Sequence, residues 1–184
     1  MSNADFRAKQ LEDIAKTFRN YKKLGDAALA RVPDDQLHTE LDPQSNSLAV
    51  IVKHVAGNLR SRFQDFLTAD GEKPDRDRDT EFEMPDKVSR EEVLRWWERG
   101  WATALGSIDA LTPDDMERTV TIRGEGFLVT EALNRSATHT AYHVGQIVYL
   151  ARHLAGPAWK SLTIPKGQSA AYAQGSFKTK GIVR

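Results

Sequence analysis

Four stretches of this 184-residue chain repeat their apolar residues at steps of three and four, a period that restricts it to packed α-helices more firmly than any other feature. From Asn3 to Val32 the stripe is Leu11, Ile14, Phe18, Tyr21, Leu24 and Ala28. Pro33 to Asn46, rich in Asp, Pro, Gln and Ser, breaks the period and reads as a connection. Ser47 then caps a second helix, predicted to run to about Thr68, whose buried side is Leu48, Ile51, Val52, Val55, Leu59, Phe63 and Phe66. Ala69 to Lys87 is charged, contains Pro74 and Pro85, and reads as a long surface loop. Ser89 and Glu92 have capping-box spacing and open a third helix to about Leu111. Its expected core stripe is Leu94, Trp97, Trp101, Leu105 and Ile108. Trp96 lies about 100° round the wheel from Trp97 and is expected to meet a pocket or a partner subunit. Thr112-Pro113 starts a single helical turn, and RTVTIRGEGFLVT alternates β-branched residues around Gly124-Glu125-Gly126, as in a short hairpin or extended ribbon. Thr130 opens the fourth helix, which Gly156-Pro157 stops after Ala155.

The pattern predicts an all-α four-helix bundle, with a hairpin or ribbon before the last long helix. Which helices are neighbours depends on the loops and stays open. A single domain is expected over residues 1–174, with a flexible tail at 175–184. Trp159, Leu162 and Ile164 should anchor the segment Trp159 to Tyr172 on the bundle, over the mouth of a cavity.

At this length a chain buries roughly 70% of the surface its unfolded form exposes, so it needs neither disulfide nor metal to fold. A metal held here would therefore be functional. The 26 basic and 26 acidic residues cancel, which gives no broad field for nucleic acid or anionic lipid. The absence of cysteine excludes a disulfide framework, a thiolate ligand and a cysteine nucleophile within the chain. No signal peptide or membrane span is legible, and the expectation is a cytoplasmic protein with no membrane partner.

His139 and His143 lie four apart on the fourth helix, where positions i and i+4 stand one above the other. Two neutral imidazoles so placed can hold one divalent ion. His54, on the second helix, completes a three-histidine set if the two helices pack side by side, and such a set leaves a coordination position open. His38, in a polar loop, and His153, near a helix C-terminus, are not first choices. There is no H-E-x-x-H, so the glutamate base of zinc proteases is missing.

The fourth helix contains H-x-x-x-H-x-G-Q, and the chain carries VKHVAGNLRSRF around His54, DGEKP from Asp70 to Pro74, and IPKGQSAAY from Ile164 to Tyr172. In these segments, from the first helix to about Tyr172, it resembles the DinB-like, YfiT-like superfamily of metal-binding four-helix bundles, within a subgroup lacking an assigned reaction. The resemblance implies that His54, His139 and His143 bind one divalent ion, which in relatives is commonly nickel, zinc or iron. It also implies a homodimer, and for some relatives the transfer or isomerisation of substrates with a low-molecular-weight thiol.

Three neutral ligands leave a divalent centre at about +2, which lowers the pKa of water or a thiol toward neutrality. The leading expectation is an enzyme that activates an external thiol for attack on a small-molecule electrophile. A metal-dependent hydrolase and a non-catalytic metal- or ligand-binding bundle stay beside it. Arg135, one turn before His139, either binds an anionic group of a substrate or pairs with an acid such as Glu131. Asn58, one turn after His54, either orients a ligand or water or bonds within the bundle. Gln146 either supports a ligand ring or is solvated. Glu81, Glu83 and Asp86 could reach the site as a base, although a charged loop is usually solvated. No catalytic residue is assigned.

Overall fold

The computed structural model describes residues 2–84 and 88–170. Four helices, α1 (Asn3–Leu29), α2 (Leu48–Phe63), α3 (Arg90–Asp109) and α4 (Val129–Ala155), form an all-α bundle. Strands β1 (Thr119–Ile122) and β2 (Glu125–Leu128) pair antiparallel just before α4, with Ile122 opposite Glu125. The turn needs positive φ at Arg123 (57°) and Gly124 (76°), the combination a two-residue hairpin loop favours. Among the described residues, no helix is long and apolar enough to cross a membrane. The expected tail at 175–184, and the end of the Trp159–Tyr172 segment, lie outside the described residues.

α2 packs on α3 along one side and on α4 along another, while α1 lies chiefly against α4. This answers the question of helix neighbours and brings His54 beside the fourth-helix pair. The core gathers Phe18 of α1, Phe63 of α2 and Trp97 and Trp101 of α3, all fully buried. Phe18 meets Phe63 edge-on at 5.4 Å between ring centres, a preferred aromatic geometry. Trp97 donates from Nε1 to Asp26 Oδ1 (2.6 Å), which satisfies its polar atom within an apolar setting.

The face α3 buries differs from the expected stripe. Val93, Trp97, Gly100, Trp101, Ala104 and Ile108 are buried, whereas Leu94 and Leu105 are only partly so. The cause is close backbone approach: a Cβ at Gly100 would lie 2.7 Å from Ala56 Cα, so small residues sit at the α2–α3 contact and the leucines flank it. Trp96 is half-buried beside Lys53, whose Nζ lies 5.9 Å from the ring centre, and it does not line the main cavity.

Helix ends also differ from expectation. α2 stops at Phe63, not Thr68, because Gln64 turns extended (ψ 125°) and Asp65 takes a left-handed φ of 50°. Ser107 Oγ caps the freed Phe63 carbonyl at 2.6 Å. Phe66 remains buried after the chain has turned. Only half of the expected box opens α3: Ser89 Oγ accepts from Glu92 N (3.2 Å), while Glu92 pairs with Arg95. At α1, Ser2 and Asp5 form a full capping box that apolar periodicity does not reveal. α4 starts at Val129, where Glu131 accepts from the Leu128 amide (2.8 Å).

Leu162 is buried and Trp159 packs partly on the core, with the Arg31 guanidinium 5.8 Å from its ring. The segment packs on the bundle as expected. Its described residues, 159–170, do not line the cavity, and the rest of the segment lies outside the described residues.

Candidate metal centre

The site forms where α2 and α4 face each other. His54 is buried on α2, and His139 and His143 stand one turn apart on α4, so all three rings converge. His139 Nε2 lies 3.4 Å from His54 Nε2 and 3.2 Å from His143 Nε2. Two ligands about 2.0–2.1 Å from a tetrahedral ion stand about 3.3–3.4 Å apart, so both spacings match edges of a zinc-like coordination tetrahedron. One ligand atom from each ring lies within 4.8 Å of the others.

Two rings are oriented from behind. His54 Nδ1 lies 2.8 Å from Glu81 Oε2, and His143 Nδ1 lies 2.8 Å from Gln146 Oε1. With the ring proton on Nδ1 donated to each oxygen, both Nε2 lone pairs point into the shared space. Metal-binding histidines are characteristically held by such partners. Burial, then the His143 and His54 rings and the Arg62 and Arg76 charges, hold the His139 pKa down to about 4. Burial also lowers His143 against the raising effect of Gln146. His139 is therefore neutral near pH 7 and free to offer its lone pair.

The long charged loop, expected to be solvated, instead builds part of the site. Glu81 is buried, and Arg76 grips its carboxylate through Nε (2.8 Å) and Nη2 (2.9 Å). Burial pushes Glu81 upward, but His54 and Arg76 outweigh it and keep the carboxyl below its ordinary value. Both of its oxygens are engaged, so it acts on the site by fixing His54 and not as an independent base. Glu83 is exposed, and Asp86 lies outside the described residues. Glu72 ties Arg76 to Arg62 and Arg123, at 3.2, 3.0 and 2.9 Å. Asp70 accepts the Arg123 and Gly124 amides (2.9 and 2.8 Å), locking the loop onto the hairpin. The DGEKP segment is thus the clasp between hairpin and histidines.

One local signal in the sequence points to this clasp. Gly57 interrupts α2 one turn from His54, and a Cβ there would come within 2.2 Å of Glu81 Oε1. A glycine inside a helix costs about 1 kcal/mol relative to alanine, so its presence marks something approaching closely.

A cavity of ≈ 670 Å³ opens onto the histidines, of a size that suits a small molecule. Asn58, Arg135 and Gln146 all line it, as do Phe82 and Tyr142. Asn58 is buried at its wall. Arg135 does not pair with Glu131, which caps α4 instead. Its guanidinium lies 5.9 Å from the Phe127 ring centre. Phe82 stacks on His54 (4.7 Å) and Tyr142 sits edge-on to His143 (4.9 Å).

The model of the DUF1572 family, described as a protein of unknown function, matches residues 5–168. The chain belongs to the DUF1572 family. The match to DUF1572 spans α2, α3, α4 and all but the first two residues of α1, the loop that carries Glu81, and every residue of the site. No curated protein and no solved structure matches the chain significantly.

Proposed function

We propose that this protein is a divalent-metal-dependent enzyme, of DinB-like, YfiT-like kind, that transfers a low-molecular-weight thiol to an electrophile. The observation that supports this best is the meeting of three imidazole Nε2 atoms at the wall of a cavity with no carboxylate among its described lining residues. When bound, a zinc, nickel or iron ion supplies positive charge that favours an ionised thiol near neutral pH. The sulfur comes from outside, because the chain has no cysteine.

His54, His139 and His143 present the site to the cavity, with Glu81 and Gln146 holding two of the rings. Asn58 offers an amide to the bound molecule, and Phe82 and Tyr142 pack against the His54 and His143 rings. In the transfer, the sulfur lone pair forms a C–S bond with the electrophilic carbon. The bond to the leaving group breaks with its electron pair, and the thiol proton passes to solvent. Attack by water is less well supported, since a hydrolase needs a group to take the second proton and Glu81 is already engaged by His54 and Arg76. The likeness to DinB-like proteins also favours a homodimer.

The test incubates metal-loaded protein with common cellular thiols and a generic electrophile, against His143→Ala. We expect thiol-dependent conjugation in the wild type alone. Equal rates in the two proteins would reject the proposal, and turnover without thiol would replace it by the hydrolase. Tight metal binding with no turnover would assign a sensor or scaffold.

A further inference from the structure

The charges around the cavity do not balance. Arg62, Arg76, Arg78, Arg123 and Arg135 line it beside the histidines, and no acid among the described residues does. Behind the wall, Glu81 binds Arg76, and Glu72 is shared by Arg62, Arg76 and Arg123. Two carboxylates therefore serve three guanidinium groups. Asp70, the next acid, is occupied by the backbone amides of Glu72, Arg123 and Gly124.

Arg78 and Arg135 add two charges that stand outside this network. Among the described residues, the carboxylate that Arg78 meets is that of Asp79, 3.8 Å away and 93% exposed, too remote and too solvated to neutralise it. Its guanidinium lies over Phe82 at 5.0 Å, the same ring that stacks on His54. Arg135 forms no ion pair among the described residues and rests over Phe127 at 5.9 Å. An aromatic face restrains a guanidinium while leaving its N–H edge free to donate. A concave wall carrying one sign of charge also focuses its field into the cavity.

We propose that the cavity binds a small organic anion, its carboxylate or phosphate group held by Arg78 and Arg135 and the rest of the molecule extending toward the three histidines. This names the substrate class of the proposed enzyme, and it rests on that reading for what the anion does there, not for its binding. Arg62, Arg76 and Arg123 keep the wall positive while fixed on Glu72 and Glu81. Guanidinium forks match carboxylate and phosphate oxygens, so a neutral molecule of the same shape gains much less.

Calorimetric titration of the full chain, with and without zinc, against succinate, inorganic phosphate and the neutral isostere succinamide tests the inference. Succinate or phosphate should bind at least about tenfold more tightly than succinamide, and which of the two binds better identifies the anionic group. The double variant Arg78→Gln/Arg135→Gln should lose about tenfold or more of that affinity, Arg78→Lys/Arg135→Lys should retain part of it, and Arg19→Gln on α1 should leave it unchanged. Zinc uptake by the double variant should equal that of the wild type. Succinamide binding as tightly as succinate and phosphate, or undiminished anion binding by the double glutamine variant, would overturn the inference. If anions bind as described but the wild type takes up no zinc, the metal reading fails and the anion site stands.

Discussion

α2 has two sides built on opposite principles. Toward α1 and α3 it presents Val52, Val55, Leu59 and Phe63 to an apolar core, where shape and area do the stabilising. Toward α4 and the 69–83 loop it presents His54, Asn58 and Arg62, buried among charges. The core side is held by many interchangeable contacts. The polar side depends on a few partners, each of which leaves a costly orphan if removed. The same helix thus carries a tolerant half and an intolerant half, and the candidate metal centre sits on the second.

Substitutions on each side should separate them. The largest stability loss is expected for Trp101→Ala, about 3–5 kcal/mol by denaturant unfolding, with metal affinity unchanged in whatever fraction stays folded. Glu81→Ala should cost about 3 kcal/mol, because Arg76 loses its buried partner, and should also weaken metal binding about 10–100-fold. That double signature is what distinguishes the polar side. Gly57→Ala sharpens the point, since its methyl group displaces the Glu81 carboxylate while both charges remain. It should weaken the metal site with a smaller loss of stability.

The pH dependence of the metal-free protein should show the same contrast. The folded-state His139 pKa, about 4, lies below its ordinary 6.5, so the unfolded chain binds more protons between those values. Stability should therefore be complete above about pH 6.5 and fall toward pH 4 by about 2 kcal/mol, after allowance for partial exposure of the ring. His139→Gln should reduce that slope, leaving the part that His143, also lowered by burial, contributes, and Trp101→Ala should leave it intact. The smallest effect is expected on the core side, where Trp97→Phe loses one N–H donor to Asp26 and about 1 kcal/mol.

Periodicity makes the apolar side legible and leaves the polar side largely hidden. The stripes place all four helices and the three histidines, because burial of large side chains enforces the helical period. On α3 that reasoning favours Leu94 and Leu105 by size, whereas Gly100 and Ala104 hold the central contact because only small residues let the α2 and α3 backbones approach. The charged loop is hidden for a different reason. Glu81 and Arg76 are each poor candidates for burial alone, and only their mutual pairing, over His54 and against Gly57, offsets the desolvation of both. Gln146, by contrast, is visible as a possible ring support from its spacing to His143.

X-ray absorption of the zinc-loaded protein addresses the centre most directly. One zinc per chain is expected, with three imidazole nitrogens at about 2.0–2.1 Å, falling to two in His54→Ala. Fewer than about a tenth of an equivalent of zinc after reconstitution, or an imidazole count that His54→Ala leaves unchanged, would contradict it.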